Sequence, residues 1–437
     1  MIVLFLTHRR QVEGMQTSQT KTASLWQNPE FMKLWGGQTI SELGSTITRD
    51  ALPLLAVITL GATPFQMGLL SSSSGLAALL FGLVAGVWVD RRRRRPILIG
   101  SALLQAVLLA GLPLAAVSGV LSMGLVYLVT VSTGVLSIFF SVAYRSYLPS
   151  LVERQNLLEG NSKLALSDSI AEIGGAGLAG VLVQVMTAPF AVLLDSFSFV
   201  VSALAIGSIR KAEPEPEQPA ATASFRQEAG EGLRSIAHNP ILRALAGSEA
   251  ALAFFGSFIG VLYSLYAIRI LNMGPAALGF TIAVGGLGSL LGSLLSPPAV
   301  RRFGLGGTLT GALLLGIGAH LLIPLASGSM ALIFTCMVAA QLFGDALRTI
   351  FFINAISLRQ AVTPDRLLGR TNAGIEMLSA AAAPLGALVG GLLGDLLGVR
   401  ATLVVAACGG GLLAAVLLWL SPVGRLRALP APAGETE

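Results

Sequence analysis

Charge is what this chain has least of for its size. Only 11% of its 437 residues are Asp, Glu, Lys or Arg, where a soluble domain carries about 25%, so most of the chain has no water to face. Cysteine is nearly missing: Cys336 and Cys408 are the only two. Both fall inside apolar runs, which excludes a disulfide framework and a thiolate metal cluster and leaves two small packed side chains. The three histidines, His8, His238 and His320, are far apart, so no metal site is expected. No Gly-rich phosphate loop of the Walker type occurs, so ATP is not expected to drive this chain directly. No constellation of nucleophile, acid and base stands out either. The chain is therefore not expected to be an enzyme or to carry a cofactor. The net charge of +6 comes from basic residues spread along loops, which gives no nucleic-acid-binding face.

What the sequence has in abundance is apolar length. Twelve runs, near 31–59, 65–89, 96–117, 121–144, 160–185, 189–209, 241–268, 277–299, 307–326, 330–357, 371–396 and 401–420, are each long enough to cross a hydrocarbon layer of about 30 Å as a helix. The 51 glycines suit helices that approach closely in lipid. Met1 to Leu6 are apolar but too short to span, and no cleavage site follows, so no signal peptide is expected; either Met1 or Met15 can be the start.

The chain also says the same thing twice, about 210 residues apart. Asn28-Pro29 opens the first run and Asn239-Pro240 the seventh; Asp90-Arg91-Arg92 follows the second run and Val300-Arg301-Arg302 the eighth; Leu148, Val152 and Leu157 follow the fourth, and Leu358, Val362 and Leu367 the tenth. Two six-helix halves in one orientation point to a secondary transporter with its site between them. The expected fold is an all-α membrane protein with twelve transmembrane helices in two pseudo-symmetric six-helix bundles. Its expected parts are an N-terminal tail (1–27), a first bundle (28–210), a linker (211–239), a second bundle (240–421) and a C-terminal tail (422–437). The linker begins with Glu213, Pro214, Glu215, Pro216 and Glu217, a flexible composition, and 225–237 has the pattern of an amphipathic surface helix. With the N-terminus inside, 24 of the 28 basic residues lie in tails, inner loops or inner span ends, so both tails and the linker are expected in the cytoplasm.

The loop after the second run contains Gly86, Asp90, Arg91, Arg94 and Arg95. This spacing resembles the loop 2–3 signature of the major facilitator superfamily, with Arg93 standing where the family has a glycine. The second half keeps Arg301 and Arg302 but has Val300 for the acid. The role the resemblance implies is a conformational latch, in which Asp90 pairs with a basic group or a helix N-terminus across the half and holds one conformer; the alternative is a plain basic stop-transfer cluster. The stretch from Tyr144 to Ser162 and the one from Phe190 to Phe199 are similar to the subfamily of enterobactin exporters and macrolide efflux proteins. That resemblance implies a bacterial inner-membrane exporter, monomeric, that moves a drug, macrolide or siderophore-like compound against protons.

A charge at mid-bilayer costs about 2.5–3.5 kcal/mol on insertion scales, so the exceptions should face a wet cavity or a partner. On the first span Gln38, Glu42, Ser45 and Arg49 share a helical face, with Asp50 beside it; on the tenth, Gln341, Asp345, Arg348 and Phe352 repeat the spacing; on the fifth stand Asp168 and Glu172. Burial disfavours a charged carboxyl, which is what a proton-coupling site requires. Glu42, Asp345, Glu172 and Asp168 are thus the proton-coupling candidates, with Glu42 ranked above Asp345 because Arg348 can hold the latter ionised. Gln38, Arg49, Asp50, Gln341, Arg348 and Phe352 are the substrate-cavity candidates. Structural hydrogen bonds or intrahelical ion pairs are the plainer roles for the same side chains. Glu249 and Glu376 are expected at an inner gate, and Asp195 in a structural role. The expected partners are a small-molecule substrate, protons and the lipid bilayer. The rival expectations are a facilitator or importer of a metabolite or lipid, and a non-transporting membrane sensor.

Overall fold

The computed structural model describes residues 25–211, 213 and 225–430. Among them are twelve long helices: α1 (Pro29–Leu54), α2 (Pro64–Asp90), α3 (Arg94–Val117), α4 (Met123–Leu151), α5 (Leu157–Met186), α6 (Ala188–Gly207), α7 (Pro240–Leu265), α8 (Pro275–Phe303), α9 (Leu305–Leu325), α10 (Met330–Val362), α11 (Asp365–Leu396) and α12 (Val399–Trp419). A shorter linker helix (Phe225–His238) lies between the halves in sequence. The helices match the twelve expected runs, though several run past them: α10 continues to Val362 and α4 to Leu151. Eleven of the twelve are apolar enough to cross a membrane on composition alone. The exception is α1, which carries Glu30, Lys33, Glu42, Arg49 and Asp50. It is held by packing against α5 and α6 rather than by affinity for lipid.

The repeat in the sequence is a repeat in atoms. Asn28 accepts from the N–H groups of Glu30 and Phe31, both at 3.1 Å, and Asn239 accepts from those of Ile241 and Leu242 at 2.9 and 3.4 Å. Each asparagine is an N-cap followed by proline in the first turn, where a missing N–H costs nothing. Both helices end in a π-helical turn, Leu55–Thr59 after α1 and Tyr266–Ile270 after α7.

The halves meet along two equivalent seams, α2 on α11 and α5 on α8. Glycine permits the approach. A Cβ built on Gly391 would stand 3.0 Å from the Gly68 Cα, and one on Gly180 would stand 2.9 Å from the Gly279 Cα. Both pairs sit near the end of the bundle away from the linker helix. Hydrogen bonds between the halves lie there or near the middle: Arg269 Nη2 donates to the Val57 carbonyl at 2.9 Å, the Phe65 N–H to Asp395 at 3.1 Å, the Ala276 N–H to Gln184 at 3.1 Å, and Ser72 Oγ to the Pro384 carbonyl at 3.0 Å. Among the described residues none joins the halves at the linker end. The bundle is closed at one end and parted at the other.

The linker divides its attachments. Its first residues are tied to the first half: the Arg210 N–H donates to Glu30 at 2.7 Å, and Lys211 Nζ to the Leu151 carbonyl at 3.0 Å. The linker helix is docked on the second half, with Thr371 Oγ1 3.2 Å from Ser235 Oγ, Glu231 paired with Arg370 and Ile236 buried with Ala246 and Ile375. The face around Ile236, expected to lie on the membrane surface, is taken up by α7 and α11. Residues 214–217, read as flexible, lie outside the described residues.

Candidate functional site

Between the halves lies a cavity of about 1150 Å³, walled by helices of both. The polar stripes of α1 and α10 converge on it: Arg49 and Asp50 from one side, Gln341, Asp345, Arg348 and Phe352 from the other. Asp345 fits because α8 presents Gly285 to it, where a Cβ would collide with the carboxylate. Arg348 lies 5.8 Å from the Phe352 ring centroid, within cation–π range. Arg49 Nη2 donates to Thr46 Oγ1 at 3.4 Å, one turn back on α1.

Gln38, expected on the cavity wall, stands off it. It is two turns nearer the linker end than Ser45, about 10 Å along the axis, and Ser45 is where α1 meets the cavity. Glu42 is also not on that wall. It stands at the seam between α1 and α5, where Trp35 Nε1 donates to the Lys163 carbonyl at 3.3 Å and Thr39 Oγ1 to Ser167 Oγ at 3.0 Å. There it lies within electrostatic reach of Asp168, Glu172 and Arg49. Glu172 is also close enough to act on Asp50 and Asp345. The structure thus brings Glu42, Asp168 and Glu172 into one acidic group on the open side of the cavity, with Arg145 beside Asp168.

The wall also holds one residue that the sequence did not single out and three acids that were read there as gate or structural groups. His320, isolated in the chain, faces the cavity from α9 and lies near Asp345 on the antiparallel α10. Asp195 is 1% exposed, lines the cavity and accepts from Ser198 Oγ at 2.8 Å. Glu249 and Glu376 also line it, and Arg359 reaches Glu249 at 3.6 Å. No spacing rule pairs Glu249 with a residue 110 positions on; only the packing of α7 on α10 does.

Among the described residues the basic loop is fastened within its own half and to the linker. Arg95 donates to the last carbonyls of α6, Ile206 at 3.2 Å and Gly207 at 2.5 Å. Glu213 accepts from the backbone N–H groups of Arg94 and Arg95 at 2.6 and 3.2 Å, filling the α3 N-terminus that Arg93 leaves without a side-chain cap. These contacts stay within the first half and its linker, because Glu213, 119 positions on at the start of the linker, satisfies the free N–H groups of α3. Gly86 lies on the last turns of α2, and Arg91, Arg301 and Arg302 are exposed. The Asp90 side chain lies outside the described residues.

The sequence model of the Major Facilitator Superfamily matches residues 34–346. Among curated proteins, the chain is 27% identical over 392 residues to the uncharacterized MFS-type transporter YfiS of Bacillus subtilis, covering 86% of this chain and 90% of that one. It is 26% identical over 369 residues to the multidrug efflux pump Tap of Mycolicibacterium fortuitum, covering 82% and 88%. It is 25% identical over 411 residues to the enterobactin exporter EntS of Citrobacter koseri, covering 93% and 94%. Among solved structures, a bacterial homologue of the iron transporter ferroportin in its inward-facing state superposes with a TM-score of 0.70 at 20% identity, covering 89% of this chain and 97% of that one. Two six-helix halves around a cavity that is shut at one end and parted at the other are the architecture of alternating access, and the chain belongs to the Major Facilitator Superfamily of secondary transporters.

Proposed function

We propose that this protein exports an amphipathic, charge-bearing compound of the drug, macrolide or siderophore type in exchange for protons, working as a monomer in a bacterial inner membrane. The observation that carries the reading is the cavity itself. Its roughly 1150 Å³ suits a drug-sized compound, and its wall mixes Phe255, Phe351 and Phe352 with Arg49, Asp50, Asp345 and Arg348, groups that take an apolar body and a charged handle together. The basic loops support a cytoplasmic linker end, and on that reading the cavity opens inward, ready to load. The names of Tap and EntS, both exporters, support the direction.

Glu42, with Asp168 and Glu172 beside it, is the proposed proton carrier. None of the three is among the residues lining the cavity, but Glu172 is within electrostatic reach of Asp50 and Asp345 on its wall, so a proton on the trio can be sensed by a substrate held in the cavity and exchanged for it through the rocking of the halves. Asp345 and Asp50, on the wall itself, are proposed to meet the substrate, with Arg49, Gln341, Arg348 and Phe352. One proton crossing inward is worth about 2.3 kcal/mol per 100 mV, enough for more than a tenfold outward gradient. The test begins with a susceptibility screen of deletion and overexpressing strains to find a transported compound, followed by reconstitution. Glu42→Gln should abolish efflux driven by a proton gradient while leaving binding of that compound intact. Unaltered gradient-driven efflux rejects the assignment, and export that survives a protonophore marks a facilitator instead.

A further inference from the structure

We propose that Gln184 and Asp395 are paired positioning residues that hold the outer gate shut, and that the gate is fastened unequally because one is neutral and the other charged. This rests on alternating access by the chain, not on its substrate or its coupling ion. Gln184 stands near the end of α5 and its Oε1 accepts from the Ala276 N–H of α8 at 3.1 Å. Asp395 stands near the end of α11 and its Oδ2 accepts from the Phe65 N–H of α2 at 3.1 Å. The two contacts are the same contact under the repeat: Gln184 and Asp395 are 211 positions apart, and so are Phe65 and Ala276. In each, a side chain of one half completes the first turn of a helix in the other.

First-turn N–H groups have no partner within their own helix. In α2, Thr63 and Gln66 form a capping box, which leaves the Phe65 N–H to Asp395. In α8, the N-cap is Gly274, with no side chain to offer, so the acceptor comes from Gln184. Opening the gate strips these N–H groups of their partners. The Gly68–Gly391 and Gly180–Gly279 approaches, one on each seam, bring the backbones near enough for side chains this short to reach. Asp395 makes the stronger fastening, because a carboxylate at a helix N-terminus gains from its charge as well as from the hydrogen bond. The α2–α11 seam is then the one that governs opening.

The gate is read by electron–electron distance measurements between spin labels at Ser118→Cys and Ser327→Cys, in loops of opposite halves at the outer end, with Cys336 and Cys408 replaced by serine. In the unmodified gate the short-distance population should dominate. Asp395→Ala should raise the ratio of long to short distances about tenfold and Gln184→Ala about threefold. Asp395→Asn, which keeps an acceptor oxygen but not the charge, should fall between wild type and Asp395→Ala. A merely structural role would lower thermal stability without moving the distances. Unchanged distributions in Asp395→Ala and in the double variant overturn the proposal; if Asp395→Ala does not fold, unchanged distributions in both Asp395→Asn and Gln184→Ala do so. None of these readouts needs substrate or a gradient, so an error in the proposed cargo or coupling leaves the outcome untouched.

Discussion

Arg359 and Glu249 show what a single residue pair does in this bundle. Both are less than one-tenth exposed, their charges are 3.6 Å apart, and Glu249 Oε1 with Arg359 Nε and Nη1 make no hydrogen bond. Removing one partner of such a pair strands a charge and costs about 3–5 kcal/mol, whereas replacing both can be nearly neutral. Arg359→Gln is therefore expected to lower the unfolding temperature in detergent well below that of Glu249→Gln/Arg359→Gln. A double variant no more stable than the single one refutes a direct pairing. Glu249 is visible in sequence as a carboxylate within an apolar run, but Arg359 reads as one more basic residue at an inner helix end. Its burial appears only when α7 and α10 are placed side by side.

At the scale of elements, the helix starts are written in the chain and the seams are not. Asn28 and Asn239 each precede a proline and an apolar run, the local signature of a capped helix, and each makes the two cap bonds that signature promises. Asn239→Ala should cost about 1 kcal/mol in a denaturant or thermal series; no loss would mean that packing of α7 alone fixes its start. The glycines of α5 and α11 stand out in sequence as a cluster, but which of them touches the other half depends on helix rotation. Gly391→Leu puts a branched side chain against the Pro64 and Phe65 backbone and should wedge the outer end apart. A membrane-impermeant maleimide added from outside should then label Ser71→Cys, on the cavity wall, faster than in the unwedged protein. Equal labelling would show that the seam does not govern access.

At the scale of the whole molecule, two halves of like design close at one end and part at the other. The distribution of arginine predicts which end faces the cytoplasm. The same impermeant reagent should label Gly230→Cys, exposed on the linker helix, in everted vesicles and not in intact cells; the reverse result would turn the cavity to face outward and reverse the loading side proposed above. The linker joins this motion to the chain. Glu213 is held at the start of α3 in the first half, while Ser235 is held to Thr371 of the second.

The sequence by itself determined the number of spans and the twofold repeat, because burial in lipid, helix capping and basic loops are properties of residues near one another in the chain. It also placed polar stripes on α1 and α10, since residues at spacings of three and four share a helical face in any fold. The tertiary structure alone decided that Asp345 meets the cavity beside His320 while Glu42 turns toward Asp168 and Glu172, and that Gln184 and Asp395 each finish a helix in the opposite half. Those outcomes depend on how each helix is rotated about its axis and how far it slides along its neighbour. Rotation and slide are set by the packing of partners more than a hundred residues away, a preference that no local spacing carries.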